Sequence, residues 1–339
     1  MRWLACELHT HTLHSDGVQT LDELAAGAAK LGFDAIALTD HNTMSGLAGK
    51  EDVASRHELL IVPGMEWTTF HGHMVTIGLS EYADWREAER SRIEEGIRAV
   101  HRLGGIAGLA HPFRIGSPAC TGCYWEYELR DGAVVDYVEV WSGTFAPIRT
   151  NNRRAYAWWT DKLNEGWRIS ATSGRDWHAQ TDTDEPLSVT YLGIPDGEHP
   201  TEAHLVSALR EGRATVTVGP LLLLSVRIGG QSYGLGSVIP SPLHAEDQGE
   251  LLANITIDFS VRPGLWSLPE QTLKLILCSD RGQELDLEVT WSKTISDEPL
   301  CIAGLTVPRG PRTWLRAELW GLVHGVHALI AFTNPVYFD

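Results

Sequence analysis

A parallel-type α/β domain followed by a β-sandwich is the architecture this sequence describes, and three patterns carry that reading. Short apolar runs alternate with amphipathic ones through the first two-thirds of the chain. Near Leu221 the spacing of apolar residues changes from helical to strict two-residue alternation. Gly219-Pro220 and the glycine-rich stretch from Gly229 to Gly236 punctuate the change. At 339 residues the chain exceeds the roughly 250 to 300 at which a single core stops growing, so two domains are expected, over 1–220 and 221–339.

Each element has its own signal. Leu21, Leu24, Ala25, Ala28 and Leu31 recur at helical spacing behind a capping-box pattern of Thr20 and Glu23, and Gly32 stands where that helix stops. The apolar run Ala35 to Leu38 follows as a strand, and another is expected over 59–62. A helix over 85–103 would turn Ile93, Ile97 and Val100 inward and end at Gly104-Gly105. Strands over 106–109, 135–140 and 169–172, with helices over 151–164 and 201–211, continue the alternation and imply a largely parallel sheet or barrel. In the second part, Ala253, Ile255, Ile257, Phe259 and Val261 alternate with polar residues. Leu285, Leu287, Val289 and Trp291 do the same, and so do Leu315, Ala317 and Leu319. About 120 residues of such strands suit a β-sandwich of immunoglobulin-like size.

Composition excludes several classes. With 27 basic against 44 acidic residues the formal charge is −17, which argues against long nucleic acid and anionic membranes, since both need clustered Lys and Arg. No apolar run approaches the roughly 18 to 20 residues that span a bilayer, and Met1 to Leu8 leaves no room for a signal peptide. Five cysteines give no disulfide framework and suit a reducing compartment, so a cytoplasmic protein is expected. Fifteen histidines, nine of them in the first 111 residues, are the unusual feature.

The histidines and carboxylates fall just behind the expected strands. His9, His11 and Asp16 follow the run ending at Leu8; Asp40 and His41 follow Leu38; Glu66 follows Val62 across Pro63-Gly64. His71 and His73 come next, then His111 behind Ala110, and Asp176 and His178 behind Thr172. Loops at the C-terminal ends of parallel strands converge, so these positions are expected to meet at one mouth. His9 and His11, two apart in extended chain, face the same side and can reach one ion. A set of imidazoles and carboxylates without cysteine suits zinc, manganese or iron.

The motifs Leu8-His-Thr-His-Thr12, Ser15-Asp-Gly17, Thr39-Asp-His-Asn42, Pro63-Gly-Met-Glu66, Gly72-His73, Ala110-His-Pro112 and Ser173-Gly-Arg-Asp-Trp-His178 resemble those of the PHP (polymerase and histidinol phosphatase) superfamily of metallohydrolases, in the same order, over about residues 1 to 215. Gly72-His73, the appended β domain and the terminal Thr333-Asn-Pro-Val-Tyr337 resemble its carbaryl-hydrolase-like branch. The resemblance implies a distorted (β/α) barrel of about seven strands, with two or three divalent ions. One ion would be held by His9, His11, Glu66 and Asp176, a second by Glu66, His73 and His111, and a third by Asp16, His41 and His178, with Glu66 bridging. His73 is preferred to His71 because the family motif puts Gly before the ligand. Two departures from the family pattern, Glu7 before the H-x-H and Arg175 before Asp176, remove no ligand.

Paired cations would acidify a water between them into the nucleophile and polarise the scissile bond, which fits the absence of a G-x-S-x-G elbow or a cysteine-centred motif. Asp40 is expected to fix an imidazole tautomer, Arg114 and Arg175 to grip a small anionic substrate, and His178 to protonate the leaving group. The leading reading is a phosphoesterase acting on a nucleotide or sugar phosphate. The branch resemblance implies a carboxylic ester or carbamate as the alternative, and the intact ligand set opposes an inactive binding module.

Other candidates read more plainly. His14, His57 and His101 suit surface or helix-face roles, and Cys120-Thr-Gly-Cys123 has no second pair to complete a metal site. Trp125, Trp141 and Trp177 lie near the expected mouth, where packing and substrate stacking are equally open.

Overall fold

The first strand, β1 (Arg2–Thr10), is buried on both faces from Leu4 onward, and the rest of the fold is arranged on either side of it. A computed structural model describes residues 1–116, 122–241, 250–293, 298–308 and 310–339. Strands β2 (Ala35–Leu38), β3 (Leu60–Thr69), β4 (Gly72–Ile77), β5 (Ile106–Leu109), β6 (Tyr137–Ser142) and β7 (Ser170–Gly174) continue the sheet from β1 in chain order. On its other side β1 pairs with β8 (Val189–Ile194), and β8 with β9 (Ala214–Thr217), both antiparallel. Helices α1 (Leu21–Lys30), α2 (Lys50–His57), α3 (Ile93–Arg102), α4 (Thr150–Asn164) and α5 (Glu202–Arg210) are interleaved with these strands. This is a mixed α/β fold.

The run β1 to β7 bends back toward its start. Trp177, beyond β7, donates its N–H to His9 O (3.0 Å) and accepts from His11 N (2.9 Å). The largely parallel order expected is interrupted at β4, which is antiparallel to both β3 and β5. Thr69 pairs with Gly72 across a two-residue tip, and a connection that short can only reverse the chain. Strand β3 also runs well past its expected end at Val62. Pro63, which has no N–H to give, stands where β3 changes partner from β2 to β4.

Local signals set most helix ends. Thr20 Oγ1 accepts from Glu23 N and the Glu23 carboxylate from Thr20 N, completing the capping box, and Gly32 takes φ +68° just past the end of α1. The helix expected over 85–103 is shorter, because the charged stretch before Ile93 has no apolar face to bury. Asp84 instead caps a single 3-10 turn at Trp85–Glu87.

The C-terminal region is sheet-rich. Strands β10 (Leu221–Ile228), β11 (Gln231–Tyr233), β12 (Val238–Ile239), β13 (Leu252–Asp258), β14 (Gln271–Ser279), β15 (Gly282–Trp291), β16 (Leu300–Thr306), β17 (Trp314–Val323), β18 (Val326–Thr333) and β19 (Val336–Phe338) make it up. One sheet of four, ordered β11-β10-β13-β16, faces strands that extend the first sheet through the pairing of β18 with β9. Leu224, Ile255, Ile257, Leu277, Ala317 and Phe332 join Trp67 and Trp159 in one apolar core, so the two regions share both a sheet and a core. Asn334 adds a polar link: its side chain accepts from Ala171 N (2.7 Å) and donates to Ala171 O (2.9 Å), completing β7 as a strand residue would.

The alternation in β17 hides one departure. Leu315, Ala317 and Leu319 are buried as expected, yet Arg316 and Glu318 on the opposite face are buried too, at 3% and 7% exposure. Helix α4 covers that face: Arg316 lies 4.6 Å from the Tyr156 ring and donates to Thr160 Oγ1, and Tyr156 OH donates to Glu318 Oε1 at 2.7 Å.

Two outcomes follow for stability. Glu318→Gln should destabilise the protein by about 3–5 kcal/mol in urea denaturation, since it leaves Arg316 buried without its counter-charge. Burial pushes the Glu318 carboxyl up, but Arg316, Tyr156 and Trp320 pull it further down, to a net position below its ordinary value of 4.5. Folding therefore favours the ionised form. Its contribution is full above pH 4.5, falls as the pH drops below that value, and should vanish from the pH profile of Glu318→Gln. Asn334→Ala should cost about 1–3 kcal/mol for each buried Ala171 group left unpaired.

Candidate metal centre

The strand run delivers its chemistry to one side. His9, near the end of β1, and His11, just beyond it, face the same way, and the Trp177 bonds bring Asp176 beside them. Glu66 lies inside β3 and not behind it, and His73 is the second residue of β4, paired in register with Thr68. His41 follows β2, His111 follows β5, and Asp176 and His178 follow β7. His111 (φ 29°), Asp176 (φ 55°) and Asn42 (φ 55°) hold left-handed backbone, which costs about 1–3 kcal/mol each and persists only where neighbours enforce it.

Glu66 has no exposed surface and occupies the middle. Its Oε1 lies 3.0 Å from His73 Nδ1 and 3.3 Å from His111 Nε2. Its Oε2 lies 2.9 Å from His41 Nδ1, 3.1 Å from His9 Nε2 and 3.4 Å from His11 Nε2. Asp176 Oδ1 adds contacts of 3.0 Å to His11 Nε2 and 3.3 Å to His9 Nε2. Nearer the surface, Asp16 Oδ1 spans His178 Nε2 (3.0 Å) and His41 Nε2 (3.3 Å). The donor atoms form three groups, each within 4.8 Å: His9, His11, Glu66 and Asp176; Glu66, His73 and His111; His11, Asp16, His41 and His178. The third group contains His11 as well as the three residues expected from sequence.

This donor set fits divalent cations. His9 Nε2 and Glu66 Oε2 are buried without a hydrogen bond, although only 3.1 Å separates them. Separations near 3 Å are what ligands at about 2.0–2.2 Å from a shared ion show. Charge points the same way. Glu66, Glu139 and Asp176 enclose His9, and Arg114 is paired to Asp176. Burial alone would lower His9, but the Glu66, Glu139 and Asp176 carboxylates hold it well above its usual range. His41 is held up at about 10, against burial, by Asp16 and Glu66. Burial would raise Glu66 and Asp176, yet the imidazoles around them keep both well below the usual carboxylate range. These shifts mark a surplus of buried carboxylate charge that divalent cations would offset.

Some expected residues take other places. Asp40 accepts from Thr12 N, Thr12 Oγ1 and Ser15 Oγ, each at 2.7 Å, and so shapes the loop between His11 and Asp16 without touching an imidazole. Arg114 donates to Asp176 Oδ2 and, at 2.7 Å, to Ser142 Oγ. Arg175 leans away from the donor groups: its guanidinium lies 4.6 Å from the Trp177 ring and donates to Thr181 O. His71 packs edge-on against Tyr127, and His14 meets Ser45 on the surface. Trp141 and Trp177 are buried, and Trp125 packs over Gly72. Cys123 is disulfide-bonded, a link not expected from five sparse cysteines, while Cys120 lies outside the described residues.

Sequence reading missed Glu139, whose Oε2 lies 2.9 Å from His9 Nδ1. In the run Val138-Glu-Val140 it reads as the outward residue of a strand, and nothing local marks it as buried.

Residues 7–108 match the PHP domain. Over 128 residues the chain is 27% identical to uncharacterized protein MJ1587 of Methanocaldococcus jannaschii, a span of 34% of this chain and 71% of that protein. Over 83 residues it is 29% identical to a phosphoribosyl 1,2-cyclic phosphate 1,2-diphosphodiesterase of Eggerthella lenta, covering 23% of this chain and only 32% of that enzyme. In fold it resembles a two-domain protein from Bacteroides vulgatus containing a predicted PHP-like metal-dependent phosphoesterase, with a TM-score of 0.51 at 16% identity over 99% of this chain and 95% of that one. That last likeness concerns the fold alone. The PHP match covers residues 7–108, and the imidazole and carboxylate groups gathered there and beyond are suited to divalent cations.

The two histidines of the β3–β4 hairpin separate the donor set from its surroundings. His73→Ala should lower the divalent metal content of purified protein, measured by elemental analysis, whereas His71→Ala should leave it at the parent value.

Proposed function

We propose that this protein is a phosphoesterase that cleaves a small phosphorylated molecule, a nucleotide or a sugar phosphate. The observation that carries the reading is Glu66, a buried carboxylate shared by two donor groups, an arrangement suited to a pair of ions. When bound, divalent cations at these groups would polarise the ester oxygen and acidify the attacking water. His9, His11, Glu66 and Asp176 would hold one ion, Glu66, His73 and His111 a second, and Asp16, His41 and His178, with His11 beside them, a third.

The remaining groups divide the work of binding and proton transfer. Asp176 turns Oδ1 toward the imidazoles while Oδ2 accepts from Arg114, so that guanidinium fixes the carboxylate and has N–H donors beyond those given to Asp176 and Ser142. Those donors suit phosphoryl oxygens. His178 has Nδ1 on the Asp176 carbonyl (2.9 Å) and Nε2 on Asp16 (3.0 Å). Where two ions suffice, a proton held on that Nε2 is the one available to the leaving oxygen. Arg175 is the weakest substrate-binding candidate, since its guanidinium lies over Trp177.

A second reading, hydrolysis of a carboxylic ester or carbamate as in the carbaryl-hydrolase-like branch, is favoured by the apolar rim. Leu13, Val18, Phe70 and Ile115 are 60%, 72%, 79% and 87% exposed; Leu13, Val18 and Ile115 lie close in sequence to His11, Asp16 and His111, and Phe70 lies at the tip between β3 and β4, the strands of Glu66 and His73. Phe70 also lines a cavity of about 460 Å³ with Thr68, His71, Trp85 and Tyr127. An aryl group would find apolar surface there.

Removing metal with a chelator should abolish turnover, and zinc, manganese or iron(II) should restore it. On a panel of phosphomonoesters, phosphodiesters and aryl esters, the metal-replete enzyme is expected to turn over the phosphoesters. Turnover of aryl esters alone would shift the assignment to the second reading. No turnover of any of them would leave a binding module.

A further inference from the structure

Strand β6 supplies no member of the three donor groups, yet two of its side chains reach them. Ser142 accepts from Arg114, which holds Asp176. Glu139, 3% exposed, places Oε2 2.9 Å from His9 Nδ1 and 3.3 Å from His111 N, so one carboxylate oxygen touches two neighbouring donor segments. The packing around this pair is specific. A Cβ on Gly174 of β7 would come within 2.6 Å of His9 Cβ and 3.1 Å of Glu139 Oε1, so the absence of a side chain there is what leaves room for the pair.

A neutral imidazole carries one N–H, and an ionised carboxylate can only accept. Glu139 therefore selects the tautomer in which Nδ1 of His9 bears the hydrogen. The lone pair is left on Nε2, the atom that faces Glu66 Oε2 (3.1 Å) and Asp176 Oδ1 (3.3 Å) and has no hydrogen bond of its own. We propose that Glu139 is a positioning residue: it aims His9 Nε2 into the first donor group and raises its basicity as a ligand, and so sets that group's affinity for a divalent cation. This rests on the reading above that the centre holds metal. Its chemistry is that of a carboxylate–imidazole–metal relay, with the carboxylate contributed by a strand that gives no ligand.

The test is a zinc titration of the parent and of Glu139→Gln against a chromophoric chelator, with circular dichroism to check the fold. The substitution keeps the volume and removes the charge. A folded variant that binds zinc 10–100-fold more weakly is the expected result. Parent-like affinity in the folded variant would overturn the proposal, because a merely structural Glu139 would change stability and leave zinc affinity alone. If Glu139→Gln does not fold, a crystal structure of the zinc-loaded parent decides. His9 Nε2 on the ion with Glu139 on Nδ1 supports the assignment, whereas Nδ1 on the ion, or Glu139 itself as a ligand, rejects it. A parent that takes up no zinc, manganese or iron would remove the metal-centre reading itself, a failure visible without the variant.

Discussion

A carboxylate that loses all contact with water must be compensated within the protein, and Glu66 is such a carboxylate. Its compensation is a shell of imidazoles, His9, His11, His41, His73 and His111, gathered from four strands and the loops behind them. Much of the unusual local structure follows from assembling that shell. Strand β3 continues through Pro63 to bring Glu66 inward, β4 turns back at once to return His73, and His111 and Asp176 accept left-handed backbone to face the same point. Imidazolium charge alone compensates the shell poorly, because protons on His9 and His41 would compete with their use as hydrogen-bond acceptors or ligands. Divalent cations held by these residues would resolve that conflict, since they would neutralise the carboxylates and leave the imidazoles neutral.

The donors are held by a second set of contacts, most of them charge-assisted. Asp40 ties down Thr12 and Ser15, Thr68 and Asn42 hold the segment behind β2, Glu139 meets His9, and Arg114 with Ser142 holds Asp176. Hydrogen bonds of this kind fix direction as well as distance. A centre built this way is preorganised, which is the condition under which electrostatic stabilisation of a transition state costs no rearrangement.

The C-terminal region belongs to the same mechanical unit. Strand β18 pairs with β9, the Asn334 side chain completes β7, and the Arg316–Glu318 pair sits beneath α4. Because β7 leads directly into Asp176 and His178, the position of two donor residues depends on chain contributed from beyond residue 330.

The donor residues were legible because each sits beside a short apolar run with its own turn signal, and H-x-H spacing carries its geometry within three residues. The capping box of α1 and the inward faces of β13 and β17 were legible for the same reason: they are set by neighbours in the chain. Glu139, Arg316 and Glu318 were not, since polar residues alternating with apolar ones look solvent-facing until another element covers them. His9 lies 130 residues from Glu139, and Tyr156 lies 162 from Glu318. The direction of β4, the second partner of β1 and the loop-shaping role of Asp40 have the same origin. Periodicity, caps and ligand spacing are local properties that a short segment carries alone. Which face is buried, and which carboxylate meets which imidazole, depends on segments that become neighbours only when the chain folds.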